Sequence, residues 1–404
     1  MQAITCNMLK GHDFIYFGPE KWEGLWRNRH HLMSRFSELN KVLYVEPKIT
    51  LKNLRNQLRE GELARFWQDL KQNRLTKVGE KLHIYHNPAF IPISGRFPLD
   101  KITLFLWVMS LKLTLRKLRF ERPIIWLSRP DMVDLVGRFN EKLLIYHVVD
   151  EYLSYSGLSE EQRHWLENIE KRMLNRADLV IVVSEKLYQA KRPFNKRTYL
   201  VPNGVDYQAY SAAIDSDEQV PIDIAHLPWP VIGYSGLISE RLDLKLLYHL
   251  ASVQPEWSIV LMGEIDARHC AQEIDKLRQI KNIYFWGRKE IGQVPSYVKA
   301  FDVCIIPYEM NKLAENVSSL KLYDSLATGK PIVTTDFPAA HQFKDVVRIA
   351  DTKENFVHYV QESLTENDSD LLEKRRWIAS QNTWEDRVKQ ISELIQSRLK
   401  ASNG

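Results

Sequence analysis

Short apolar runs rich in β-branched and aromatic residues alternate with longer helical patterns from one end of the chain to the other, and that alternation restricts the fold more than any other feature. Before the midpoint the runs are Phe14–Phe17, Val42–Val45, Leu82–Tyr85, Ile124–Leu127, Leu144–His147 and Leu179–Val183; beyond it they are Val231–Tyr234, Ser258–Met262, Ile283–Trp286, Val303–Ile306 and Pro331–Thr335. Near-continuous apolar strands of this length are buried on both faces, and strands separated by helices form parallel sheets with helices on each side. The expected class is α/β, with two doubly wound, Rossmann-like domains facing each other across a cleft at the carboxyl ends of their strands, where such sheets bind ligands. A length of 404 residues suits two domains with full cores. The boundary belongs in Asp206 to Pro230, which is rich in Asp, Pro and Ala and weakly periodic. The domains are therefore expected at 1–205 and 206–383, followed by a helix over 384–404. Its apolar positions are Trp384, Val388, Ile391, Leu394, Ile395 and Leu399, and it either covers the second domain or crosses to the first.

Composition narrows the class. Hydrophobic residues at 44% and charged residues at 26% exclude collagen-like, low-complexity and disordered chains. Cys6, Cys270 and Cys304 have no C-x-x-C spacing, so they are expected to pack rather than to form disulfides or a zinc site, and a reducing, cytoplasmic setting is expected. Met1 to Phe14 holds no apolar stretch long enough for a signal peptide, and no run of about 18 apolar residues occurs. Charge divides unevenly. Lys plus Arg exceed Asp plus Glu by 34 to 22 in residues 1–205, a net +12, and fall short by 22 to 29 beyond, a net −7. A basic half suggests an anionic partner such as a membrane surface or a phosphorylated lipid. No nucleic-acid motif or interleaved aromatic and basic stripe accompanies it.

The segment Asn316 to Pro331, followed by a strand, carries the clearest chemistry. Ser318 or Ser319 can cap a helix, Leu322, Tyr323 and Leu326 give it an apolar stripe, and Gly329 with Pro331 ends it. The free amides of Ser318, Ser319 and Leu320, at the positive end of the helix dipole, suit a diphosphate. Lys321 in the first turn is placed where an anion would explain it. Asp324, three residues on, can accept hydrogen bonds from a pair of ribose hydroxyls. An ordinary capped helix with a surface Lys–Asp pair accounts for the same residues.

Four segments together resemble the GT-B glycosyltransferases of the large retaining family 4 group, in particular the bacterial cell-surface polysaccharide and teichuronic-acid type. They are Leu322 to Val333, with Asp324 where the family usually has Glu; Val182-Val183-Ser184 with Leu187, followed by Val201 to Asp206; Asn282 to Arg288; and Phe301-Asp302-Val303 with Ile306-Pro307-Tyr308. The similarity runs in order over essentially the whole chain. It implies that a Glu should stand eight residues before Asp324 and contact the donor sugar; the chain has Asn316 there, with Glu315 beside it and Val317 following. Asn316 can hydrogen-bond a sugar hydroxyl but supplies no negative charge to an oxocarbenium-like transition state.

Other donor-binding candidates are Gly236, whose loop Gly233 to Arg241 permits close backbone approach, and the cations Arg241, Lys245 and Arg288, each able to neutralise a leaving diphosphate. In the first domain Asp150 and His147, at the end of a strand, are candidate catalytic groups or acceptor contacts. The loop Gly18 to His31 offers Trp22, Arg27, Arg29 and His30 as acceptor contacts. His30-His31 is not a metal pair, because adjacent helical side chains diverge. Ile102 to Leu111 is apolar and then turns basic through Lys112, Arg116, Lys117, Arg119 and Arg122. It suits a helix on an anionic membrane, or a domain helix with a solvated basic end. Basic residues also dominate Lys48 to Lys81.

Taken together, these features predict a peripheral, cytoplasmic, metal-independent transferase. It would move a sugar from a nucleotide diphosphate, UDP first, to a lipid-linked saccharide or a growing surface polysaccharide, with no cofactor beyond that co-substrate. A nucleotide-sugar epimerase on the same fold, or a non-catalytic binding subunit, remains open. Asp368-Ser369-Asp370 has the spacing of a metal motif but sits in a polar stretch away from any expected site.

Overall fold

The computed structural model describes residues 8–48, 73–87, 99–154, 158–310 and 320–403. The chain divides into two compact units, Met1–Val201 together with Val388–Gly404, and Pro202–Arg387.

Among the described residues the first unit holds eight strands: β1 (Asp13–Phe17), β2 (Lys41–Val45), β3 (Leu75–Lys77), β4 (Leu82–Tyr85), β5 (Ile124–Leu127), β6 (Leu143–Val148), β7 (Leu179–Val182) and β8 (Thr198–Leu200). Their order is β3-β4-β2-β1-β5-β6-β7-β8, and only β3, paired to β4, runs antiparallel. The order reverses between β1 and β5, so the loops after these strands diverge and leave a crevice there, as in doubly wound sheets generally. One face of the sheet is aliphatic: Ile15, Leu43, Ile125 and Leu144 pack on Trp107 and Leu111 of the helix Leu99–Lys117 and on Met173 and Leu174 of the helix Glu160–Arg176. The other face is aromatic. Tyr16 stacks on Tyr44 at 5.4 Å, Phe14 meets Phe36 of the helix Asn28–Leu39 at 5.2 Å, and Trp126 meets His147 at 5.6 Å. Both faces are covered, which is why these strands read as unbroken apolar runs.

The second unit holds β9 (Val231–Ser235), β10 (Ser258–Met262), β11 (Ile283–Gly287), β12 (Val303–Ile306), β13 (Ile332–Thr335) and β14 (Arg348–Ala350). The order is β11-β10-β9-β12-β13-β14, every pair parallel, with the reversal between β9 and β12. Ile232, Leu261 and Ile305 face Leu247 and Leu250 of the helix Leu244–Val253, while Val260, Cys304 and Ile306 face Leu322, Tyr323 and Leu326 of the helix Leu320–Thr328. Cys270 and Cys304 are free, buried thiols that fill core space; Cys6 lies outside the described residues.

The segment Val201 to Asp206 is shaped by close backbone packing. The amide of Val205 donates to Asn382 O at 3.0 Å and that of Trp384 to Val205 O at 3.2 Å. A Cβ on Gly204 would come within 2.8 Å of the Trp384 backbone nitrogen, so no other residue fits without displacing the main chain. Asp206 then caps the helix Tyr207–Asp215 through the amide of Ala209. The last helix, Trp384–Asn403, buries Trp384, Val388, Ile391 and Ile395. Its first four residues belong to the second unit, and from Val388 onward it belongs to the first, where Arg398 pairs with Asp178 at 3.5 Å.

Candidate functional site

In the second unit the carboxyl ends of β9 and β12 flank the strand-order reversal, and the helix Leu320–Thr328 follows β12 after residues that lie outside those described. Leu320, Lys321 and Asp324 therefore stand in the first turns of a helix beside the crevice. Lys321 Nζ lies 3.2 Å from Asp324 Oδ2, both side chains partly exposed. A small cavity beside them is lined by Tyr210, Gly233, Ser235, Phe301, Lys321 and Asp324. Burial pushes the Asp324 carboxyl above its usual range, Lys321 opposes the rise, and Asp206 adds to it. Burial pushes the Tyr210 phenol well up, with Asp324 contributing, so the two groups lie close together. Tyr210 belongs to the stretch that reads in sequence as a boundary; its signal was the apolar side of a short helix capped by Asp206.

The loop after β9 uses its glycines internally. Gly236 donates its amide to Met262 O at 2.9 Å, and a Cβ on Gly236 would press on the Tyr234 hydroxyl and on Lys321 Cε. A Cβ on Gly263, whose φ is +156°, would lie 1.7 Å from Gly236 O. The close backbone approach at this point is thus between two loops of the protein, and it leaves the path of the Lys321 side chain open. Arg241 sits in the turn that follows. Its carbonyl accepts the Glu309 amide at 2.8 Å, and its charge opposes the rise that burial imposes on the Tyr234 phenol. Lys245 is exposed in the first turn of Leu244–Val253 and opposes the rise that burial causes at Glu309. Arg288 is exposed beyond Gly287 at the end of the edge strand β11, two strands from β9. Glu315, Asn316, Val317, Ser318 and Ser319 lie outside the described residues. Asp368, the first acid of the Asp-x-Asp spacing, caps the helix Ser369–Ser380 by accepting from the amides of Asp370 and Leu371.

In the first unit the loop after β1 is tied to itself. His30 Nδ1 accepts the Arg27 amide at 2.9 Å and Nε2 meets Trp22 O at 2.8 Å, which requires the neutral ring with its proton on Nε2. Burial, reinforced by Arg29, lowers the His30 pKa to about 4. Arg29 is buried and donates to Glu20 Oε2 at 2.8 Å, with Arg27 3.5 Å from the same oxygen. Trp22 packs edge-on against His30 and Tyr44 and donates its amide to Glu46, which also holds His86 at 2.9 Å. These four residues form one cluster. Asp150 stands apart from them, partly exposed just beyond β6. His147 lies within β6 at 1% exposure, neither ring nitrogen has a hydrogen-bond partner among the described residues, and burial lowers its pKa to about 3. Beside it a buried network joins helix to strand: Lys191 Nζ reaches Glu151 Oε2 and Glu170 Oε2, each at 2.9 Å, and the Tyr146 hydroxyl donates to Glu170.

Known proteins share this architecture. Sucrose-phosphate synthase from Thermosynechococcus elongatus superposes with a TM-score of 0.68 at 16% identity, covering 97% of this chain and 100% of that one. HepE of Anabaena in complex with UDP-glucose superposes at 0.65 and 14%, covering 96% and 100%. In sequence the chain is 26% identical over 388 residues to TuaH of Bacillus subtilis (strain 168), named as a teichuronic acid biosynthesis glycosyltransferase, spanning 90% of this chain and 92% of TuaH. Residues 230–366 match the glycosyl transferases group 1 family. The chain has the GT-B fold, and its second unit carries a region similar to the glycosyl transferases group 1 family. The matched residues begin one position before β9 and contain every strand of the second sheet together with Lys321 and Asp324.

Proposed function

We propose that this protein is a glycosyltransferase that takes a sugar from a nucleoside diphosphate, UDP foremost, and adds it to a lipid-linked saccharide or a growing cell-surface polysaccharide. The observation that carries the donor half is the Lys321–Asp324 pair on the first turns of a helix at the strand-order reversal of the group 1 domain. Asp324 accepts from the ribose hydroxyls. Lys321, the Leu320 amide and the cations Arg241, Lys245 and Arg288 offset the charge of the leaving diphosphate, so no metal is required. Gly236 keeps the backbone narrow beside Lys321. Glu315 or Asn316 addresses the donor sugar, and the amides of Val317, Ser318 and Ser319 complete the phosphate contacts. The acceptor lies in the first unit, with Asp150 as the group that receives the acceptor proton and with the Trp22, Arg27, Arg29 and His30 loop shaping its site; His147, neutral and enclosed, fixes the strand behind Asp150. Transfer with retention follows the family resemblance. The complexes of Anabaena HepE with UDP and with UDP-glucose, and the name of TuaH, support the choice of donor and of acceptor class.

Radiolabelled UDP-sugars incubated with the protein and membranes of its host should yield label in the lipid or polysaccharide fraction. Release of UDP without transferred label, or recovery of an isomerised sugar, overturns the proposal. Replacing Asp324→Ala should weaken UDP about ten- to a hundredfold in calorimetry, the loss expected when a charged acceptor is removed, while the unfolding midpoint holds.

A further inference from the structure

The helix Leu99–Lys117 is apolar on two opposite sides. Trp107, Val108, Leu111 and Leu115 are buried in the core of the first unit. Ile102, Phe105, Leu106, Met109 and Leu113 are between 39% and 61% exposed. At about 100° per residue these five fall within one arc of about 100°, centred opposite the buried set. A contiguous stripe of large side chains differs from scattered surface hydrophobics, which need no explanation. Cations accompany it, with Lys112 and Lys117 at its two edges and Arg116 within it near the carboxyl-terminal end of the helix.

Past the end of the helix Lys112 and Arg116 line an open pocket, joined there by Arg122 and Arg138, with Glu121 the acid in its wall. The backbone is bent to make it. The helix closes with the Phe120 amide on Leu115 O at 3.0 Å and the Arg119 amide on Arg116 O at 3.1 Å, which places Arg119 at φ +55°, a position glycine takes most readily. Arg122 and Asn140, in the pocket wall, have φ of +40° and +53°, and among the described residues these three are the non-glycine positions with positive φ.

We propose that this face docks on an anionic phospholipid bilayer, with the stripe in the boundary between headgroups and acyl chains and a lipid phosphate in the basic pocket. No helix among the described residues is long and apolar enough to cross a membrane, so the helix lies along the surface. A second copy of the chain is a poorer occupant, because a two-fold contact would set Lys112, Arg116 and Lys117 against their own kind. The proposal is independent of the donor site, and nucleotide binding measured in parallel keeps the two separable.

The test is co-sedimentation of the full chain with phosphatidylcholine vesicles, alone and with roughly a third phosphatidylglycerol. Partitioning should favour the anionic vesicles at least tenfold. The double variant Phe105→Ser/Leu113→Ser removes exposed side chains and should keep its unfolding midpoint and UDP affinity while losing about tenfold or more of its vesicle binding. Arg116→Ala/Arg122→Ala should lose about fivefold per cation, and added salt should weaken the parent more than this variant. Equal binding by the Ser variant and the parent overturns the proposal. So does indifference to lipid charge, or self-association through the stripe without vesicle binding.

Discussion

Both sheets reverse strand order at one point, between β1 and β5 and between β9 and β12, but the polar groups near the two reversals are handled differently. Among the described residues of the first unit, buried charged groups meet a partner within the protein: Lys191 pairs with Glu151 and Glu170, Arg29 pairs with Glu20, and Glu46 is hydrogen-bonded to His86. Burial alone would lower the Lys191 pKa, but Glu170 and Glu151 outweigh it and raise it. In the second unit Asp324 has one cation at the edge of a cavity, and burial still holds its carboxyl above its usual range. A saturated network locks a fold, and an undersaturated one keeps capacity for a ligand.

That contrast breaks most visibly at Lys191. Lys191→Met leaves two carboxylates buried without a cation and should cost roughly 3–5 kcal/mol in denaturant unfolding, with UDP affinity unchanged. An unaltered midpoint would mean that the network is not what locks the first unit. Acid provides the next test. The folded-state pKa values of His147 and His30, about 3 and about 4, lie below the ordinary 6.5, so the unfolded chain binds more protons and stability falls as pH drops below about 6.5. Each should cost about 2 kcal/mol between pH 7 and pH 5. In His147→Leu the gap in stability between those two pH values should shrink by that amount; a gap as wide as the parent's would show that the ring is not held neutral. The last test sharpens the other side. Gly263→Ala drives a methyl into Gly236 O and should cost about 1–3 kcal/mol while disturbing Lys321, so weaker UDP binding should accompany it.

Strands of four or more residues were legible because both faces of each sheet are covered and the runs are unbroken. β3, β8 and β14 were not. Each has three residues and lies at a sheet edge, where pairing on one side suffices and half the positions face solvent, so no apolar run forms. Site residues followed a similar rule. The contact between Lys321 and Asp324 was readable because their spacing on one helix fixes their geometry. The roles of Arg29 and His30 were hidden, since their partners are a carboxylate nine residues away and main-chain atoms that no side-chain pattern records. Tyr210 was hidden because its neighbour Asp324 is over a hundred positions along the chain.

The first unit is interrupted: its last piece, Val388–Gly404, is separated from Val201 by the whole of the second unit. On a ribosome adding about 5–20 residues per second, the first sheet emerges roughly 10–40 s before the helix that completes it. Through that interval the surface destined for Ile391 and Ile395 has no cover of its own, while the second unit can already close. Synthesis therefore leaves the amino-terminal unit longest without its closing helix, although it is made first.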